Sequence, residues 1–177
     1  MKLSDIKKSV RNIPDFPKPG IQFKDITTAV KNPAVFHEML AMLATNFQNR
    51  PIDYVVGIES RGFIFGAALA YALHCGFIPV RKPGKLPAKV VSQEYELEYG
   101  TDKLEIHSDA IEAGKHILIV DDLLATGGTC EAAAQLLKRL NGVVEGFAFA
   151  IELNGLNGRQ KLEKYAPVYT LLRYDEA

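Results

Sequence analysis

The 177-residue chain predicts an α/β fold with a mostly parallel central sheet flanked by helices. Three features carry that prediction. From Ile52 onward, short strand-like apolar runs alternate with helical segments. The run Ile117-Leu118-Ile119-Val120 is unbroken and apolar, as in a strand covered on both faces. A Gly-Gly junction then leads into another helix, and folds of this kind place ligands at the carboxyl ends of their strands.

The elements follow in order. Leu3, Ile6, Val10 and Ile13 recur at helical spacing, with Ser4 placed to cap the first turn. Proline-rich residues 14–20 break that helix, and 21–26 alternate like a short strand. Asn32-Pro33 opens a helix whose face carries Phe36, Leu40, Leu43 and Phe47. Residues 52–58 read as a strand, and 62–75 as a helix apolar nearly all round and therefore buried. Gly76 stops it, and 77–80 form the next strand. Strand 116–120 leads to a helix carrying Cys130, Ala133, Leu136, Leu137 and Leu140, ended by Asn141-Gly142. Residues 143–153 and 168–173 supply further strands. The segment 81–103 interrupts the alternation. Its basic, proline-punctuated start and acidic continuation predict a flexible hairpin, with strands 95–99 and 103–106 projecting from the sheet.

Composition excludes several classes of function. The chain is 47% hydrophobic and 24% charged, which suits one ordinary folded domain over 1–177 without repeats or linkers. Equal numbers of basic and acidic residues, 21 each, give no global attraction to nucleic acid or to an anionic membrane. Residues 1–11 lack the apolar core of a signal peptide, and the apolar run 63–73 is too short to span a bilayer. Cys75 and Cys130 make no disulfide framework and suit a reducing cytoplasm. The four histidines show no ligand spacing and read as structural.

The most specific signal is Val120-Asp121-Asp122-Leu123-Leu124-Ala125-Thr126-Gly127-Gly128-Thr129. Two hydroxyls, glycine amides and a helix N-terminus make a cradle for a tetrahedral anion. Asp121 and Asp122 would repel a phosphate, so they suit sugar hydroxyls or a hydrated Mg²⁺. A phosphorylated sugar satisfies both halves. An ordinary strand-end turn with a helix cap explains the acidic pair poorly. Competing motifs fail: Gly57 to Gly62 has Walker-loop glycine spacing, but Phe63-Ile64 replaces Lys-Ser/Thr. No G-x-G-x-x-G opens a helix, and Ser60 misses the nucleophile-elbow spacing by one residue.

Residues 121–129 resemble the signature of the type I phosphoribosyltransferases. With 57–66, Arg81-Lys82-Pro83-Gly84-Lys85-Leu86-Pro87, Leu97-Glu98-Tyr99-Gly100 and Phe23-Lys24-Asp25-Ile26, the chain is similar to the adenine members of that family over nearly its whole length. The resemblance implies the family fold, with a hairpin lid at 81–103 and a small N-terminal hood over 1–35. It implies transfer from 5-phosphoribosyl-1-pyrophosphate to adenine, giving AMP and diphosphate in purine salvage, with Mg²⁺ carried mainly by the donor and no dedicated protein site. Ala125, Thr126, Gly127, Gly128 and Thr129 match the 5′-phosphate loop, and Asp121 and Asp122 the ribose-facing pair. Glu59, Ser60 and Arg61 match the pyrophosphate loop, with a cis peptide expected between Glu59 and Ser60. Arg81, Lys82 and Lys85 match further pyrophosphate contacts, although Pro83 replaces a frequent arginine.

Phe23, Lys24, Leu123 and Leu153 match residues around the base. Phe23 would stack on the purine, and Lys24, where arginine is commoner, would contribute backbone. Hypoxanthine-type members carry a catalytic Asp at the position of Ala125, so a proton-handling group must come from elsewhere here; the resemblance implies Glu98, which matches the adenine family's catalytic glutamate. On charge pattern alone Glu98 reads as a solvated hairpin face shared with Glu94 and Glu96. Family members are commonly homodimers, and Arg81 matches a basic residue that reaches the neighbouring site. A regulator built on the same donor site would need a DNA-binding module, for which no recognition helix is evident. Within enzymology the alternative is another purine base.

Overall fold

The computed structural model describes residues 1–97 and 100–175. The amino-terminal segment folds as α1 (Leu3–Ser9), β1 (Arg11–Pro14), β2 (Gln22–Asp25), α2 (Thr27–Lys31) and α3 (Pro33–Thr45). The first helix starts after Lys2, whose N–H bonds Asp5 at 3.3 Å, so Ser4 lies inside it rather than capping it. It also stops short of Ile13. Val10 turns extended, and residues 11–14 pair antiparallel with β2, Ile13 facing Phe23. That ladder satisfies backbone groups that one more helical turn would have served. Asp25 ties the hood together: it accepts from Thr27 Oγ1 at 2.6 Å and from Arg11 Nε at 3.0 Å, which hold its carboxyl at about 2.

Asn32 caps α3 as its sequence predicts, its Oδ1 accepting from the N–H groups of Ala34 and Val35. The seam is rotated from the predicted one: Val35, Met39 and Leu43 are buried, while Phe36 and Leu40 are half-buried.

The chain continues through β3 (Tyr54–Ile58), α4 (Gly62–Ala72), β4 (Gly76–Val80), β5 (Val90–Glu96), β6 (Thr101–His107), β7 (His116–Leu124), α5 (Gly128–Arg139), β8 (Val143–Leu153), a 3₁₀ turn at Asn154–Leu156, α6 (Gly158–Leu162) and β9 (Val168–Tyr174). Strands β4-β3-β7-β8-β9 form a parallel sheet in that order. One face packs on α1 to α4 through Val55, Leu118, Val120, Phe65 and Leu69. The other packs on α5 and the β5–β6 hairpin through Val56, Ile117, Ile119, Phe149 and Leu136. Each fully buried aliphatic or aromatic side chain contributes on the order of 1.5–3 kcal/mol by leaving water.

Two predictions need correction. Helix α4 is not buried all round: Phe65, Gly66, Leu69 and Ala70 face the sheet, but Tyr71 is 86% exposed and Ile64 is exposed. Its buried side faces the sheet and its outer side is exposed. The hairpin begins at Val90, five residues earlier than predicted, and Thr101 and Asp102 belong to its second strand rather than its turn. Its base is part of the core. Leu104 and Ile106 are fully buried, and Arg139 of α5 donates to Ser92 O at 2.6 Å.

The chain goes from β3 outward to β4, then returns to place β7 on the other side of β3. This reversal opens a crevice between the carboxyl ends of β3 and β7, where doubly wound sheets bind ligands. Among the described residues no helix is long and apolar enough to cross a membrane.

Candidate active site

The loop after β7 and the start of α5 enclose the hollow where the sequence predicts an anion cradle. Gly127 has φ +80°, a left-handed conformation that side chains rarely adopt, and precedes the first turn of α5. Asp121, residues 123–129 and Cys130 line the hollow. Unpaired N–H groups of a helix start point into such a space and favour an anion.

Across the crevice lies the loop after β3. Ile58, Glu59, Ser60, Arg61, Lys82, Asp121, Asp122 and Thr129 line one cleft, so the two loops share a boundary at Asp121 and Thr129. The Glu59–Ser60 peptide is cis, as expected. Glu59 accepts from Arg81 Nε and NH2, both at 3.2 Å, and from the Lys82 N–H at 2.9 Å. Burial would raise its carboxyl, but these donors hold it below the ordinary range. Arg61 Nε donates to Asp122 Oδ2 at 2.5 Å, and its guanidinium lies 5.7 Å from the centre of the Phe23 ring. Lys82 Nζ pairs with Asp102 and reaches Tyr95 Oη at 2.9 Å. Lys85 is exposed, and its carbonyl accepts from Arg81 at 3.3 Å.

The adjacent carboxylates differ. Asp122 is buried and paired with Arg61. Burial first, and the neighbouring Asp122 charge second, push Asp121 well above the usual carboxylate range. The Asp122 N–H bonds Asp121 Oδ1 at 2.8 Å. The same surroundings act on Cys130: it is buried, and burial with the two aspartates pushes its thiol well up, which makes it an inert core residue.

On the hood side, Phe23 is half-buried and meets the edge of Phe16 at 5.2 Å between ring centres. The Lys24 side chain is buried. Its Nζ bonds Asn12 Oδ1 at 2.9 Å and lies 4.8 Å from the centre of the Tyr174 ring, pinning the hood to β9. Leu123 and Leu153, at the ends of neighbouring strands, pack half-buried on the cluster that includes the hood. Glu98 falls outside the described residues. Leu97 N–H donates to Gly100 O at 2.9 Å.

Sequence reasoning missed Phe16, Asp102, Tyr95, Gly158 and Arg159. Alternation along the hairpin could have paired Tyr95 with Asp102. Nothing local announces the glycine, whose neighbours Leu124 and Ala125 are distant in sequence, whereas the arginine has its partners within eleven residues.

This crevice, with its anion loop, acidic pair and cis-peptide loop, defines a type I phosphoribosyltransferase, and residues 27–175 match the phosphoribosyl transferase domain family. Adenine phosphoribosyltransferase of Acaryochloris marina is 63% identical over 89% of this chain and 93% of that relative. The crystal structure of the Thermoanaerobacter pseudethanolicus adenine phosphoribosyltransferase has TM-score 0.94 at 53% identity, covering 98% of this chain and 100% of that one. That of the Saccharomyces cerevisiae enzyme, complexed with an imino-altritol bisphosphate and adenine, has TM-score 0.90 at 44% identity over 96% and 98%. The chain belongs to the adenine phosphoribosyltransferases. Its reaction joins adenine to the phosphoribosyl group of 5-phosphoribosyl-1-pyrophosphate, releasing AMP and diphosphate.

Proposed function

We propose that this transfer, serving purine salvage, runs in the crevice with a division of labour set by its walls. The carrying observation is the shared boundary of the two loops at Asp121 and Thr129. Residues 125–129 hold the donor's 5′-phosphate, and Asp121 and Asp122 face the ribose hydroxyls. Arg61 pairs with Asp122 and offsets its charge, which lowers the repulsion this wall presents to a polyanion. Glu59, Ser60 and Arg61 flank the pyrophosphate, assisted by Arg81, Lys82 and Lys85. Arg81 and Lys82 rest on Glu59 and Asp102 and exchange those carboxylates for the donor's phosphates. Phe23 stacks on adenine, Lys24 reads it through backbone, and Leu123 and Leu153 cover its other face. Glu98 handles the purine proton.

The metal is proposed to be Mg²⁺. The carboxylate oxygens of Asp121 and Asp122 suit a hard cation. The ion is proposed to be carried mainly on the donor. Bound with the donor, it neutralises charge developing on the departing diphosphate. A homodimer in which Arg81 serves the neighbouring site is part of the same reading. So is a cytoplasmic location, supported by two free cysteines. Measuring AMP formation beside IMP, GMP and XMP formation tests the base choice. Adenine should be preferred by well over ~100-fold in kcat/KM, because a base that mismatches buried polar groups leaves them unpaired. Comparable turnover of hypoxanthine or guanine would overturn it.

A further inference from the structure

The anion loop has a back wall built by residues outside the cleft. Gly158, at the start of α6, presses on the loop from behind. A Cβ there would stand 2.2 Å from Ala125 O and 2.8 Å from Leu124 Cδ1. From the other side, a Cβ on Gly127 would stand 3.0 Å from Gly158 O. The two backbones therefore touch where the loop curls, and the place of Gly158 sets the place of Ala125 and Gly127.

The next residue fixes that place. Arg159 Nε and NH2 form a fork on Glu152, with bonds of 2.9 and 2.6 Å to its two carboxylate oxygens. NH2 also reaches Thr170 Oγ1 at 3.0 Å, and NH1 reaches Val168 O at 2.7 Å. Glu152 is 4% exposed, accepts from Thr170 Oγ1 at 2.7 Å, and stands in register with Leu124 on β7 and Arg173 on β9. A buried carboxylate is costly unless fully paired, so this network admits little movement. It fastens α6 to the carboxyl end of β8, at the strand level from which the anion loop departs, and to the first residues of β9.

We propose that Arg159, held by Glu152, is a positioning residue for donor binding: it clamps Gly158 against the loop at 125–127 and so sets the geometry of the 5′-phosphate cradle. The inference rests on the assignment of that loop to the 5′-phosphate. Arg159→Lys keeps the charge but loses the fork, and Gly158→Ala displaces the loop directly. Each should raise the KM for the donor and the Kd for AMP about tenfold, since small misplacements of a binding group cost this much or more. The KM for adenine and the Kd of pyrophosphate should hold, because neither ligand carries a 5′-phosphate.

Calorimetry with AMP and with pyrophosphate, beside steady-state kinetics, separates the outcomes. A lowered Tm with AMP affinity within about twofold of the parent would reduce the network to a structural tie and sink the proposal. Equal weakening of AMP and pyrophosphate would also sink it, as general damage. Should Arg159→Lys fail to fold, Gly158→Ala decides. Thr129→Ala, inside the loop, tests the underlying assignment: if it too leaves AMP affinity intact, the loop is not the phosphate site. If it alone weakens AMP, only the clamp is wrong.

Discussion

Arg61 links two halves of the chemistry, with its guanidinium near the Phe23 ring and its Nε on Asp122. Residues that follow each other in sequence meet different fates here. Asp122 is neutralised by a cation, while Asp121 is driven toward its protonated form by burial and by Asp122 itself. Glu94, Glu96 and Glu98 pose the same problem on the hairpin. Glu94 and Glu96 are exposed, and Glu94 pairs with Lys103 at 3.4 Å, which fits a solvated face. Glu98→Gln is expected to lower kcat by ~10²–10⁴-fold, the usual contribution of a positioned acid or base, with donor affinity nearly unchanged. Glu94→Gln and Glu96→Gln remove the same charge and should leave single-turnover rates near the parent. If all three variants behave alike, Glu98 belongs to the hairpin surface.

At the scale of elements, caps and ladders decide where helices stop, and sequence periodicity alone misses this. The apolar spacing from Leu3 to Ile13 continues past the end of α1, because strand pairing of 11–14 with β2 outcompetes another turn. Helix α3 is the opposite case, with a local signal and a local cause. Its Asn32 cap bonds two otherwise orphaned N–H groups, and Pro33 fills the first turn. Asn32→Ala should cost about 1 kcal/mol of unfolding free energy, and Asn32→Asp should restore most of it. Urea denaturation at constant m value reads this directly. An unchanged midpoint in Asn32→Ala would mean that tertiary packing of Val35, Met39 and Leu43, rather than the cap, holds the helix start.

The whole molecule is a parallel sheet whose order reverses at β3, with a hood on one face and a hairpin on the other. Within one chain Arg81 forks onto Glu59, so service to a neighbouring subunit requires that fork to open. Mixing an Arg81→Ala subunit with a Glu98→Gln subunit tests the shared site. If Arg81 acts across the interface, verified heterodimers should contain one site with both defects and one with neither, and activity should return toward half that of the parent dimer. Absence of recovery would assign Arg81 to its own subunit.

The parallel sheet, the glycine loop at the end of β7 and the acidic pair were legible in the sequence because each is a contiguous signal. Strand 116–120 is written in consecutive apolar residues, and Thr126 to Thr129 follow it without a gap. The cis peptide between Glu59 and Ser60 was expected from the family resemblance alone. What tertiary structure alone decided are relations between distant segments: Lys24 turned onto Tyr174, the hairpin base sunk into the core, Asp121 raised by burial, and Gly158 set against Ala125. Periodicity records which face of an element is apolar. It carries no record of which backbone will lie 3 Å behind a loop, because that distance is set by the packing of strands dozens of residues apart.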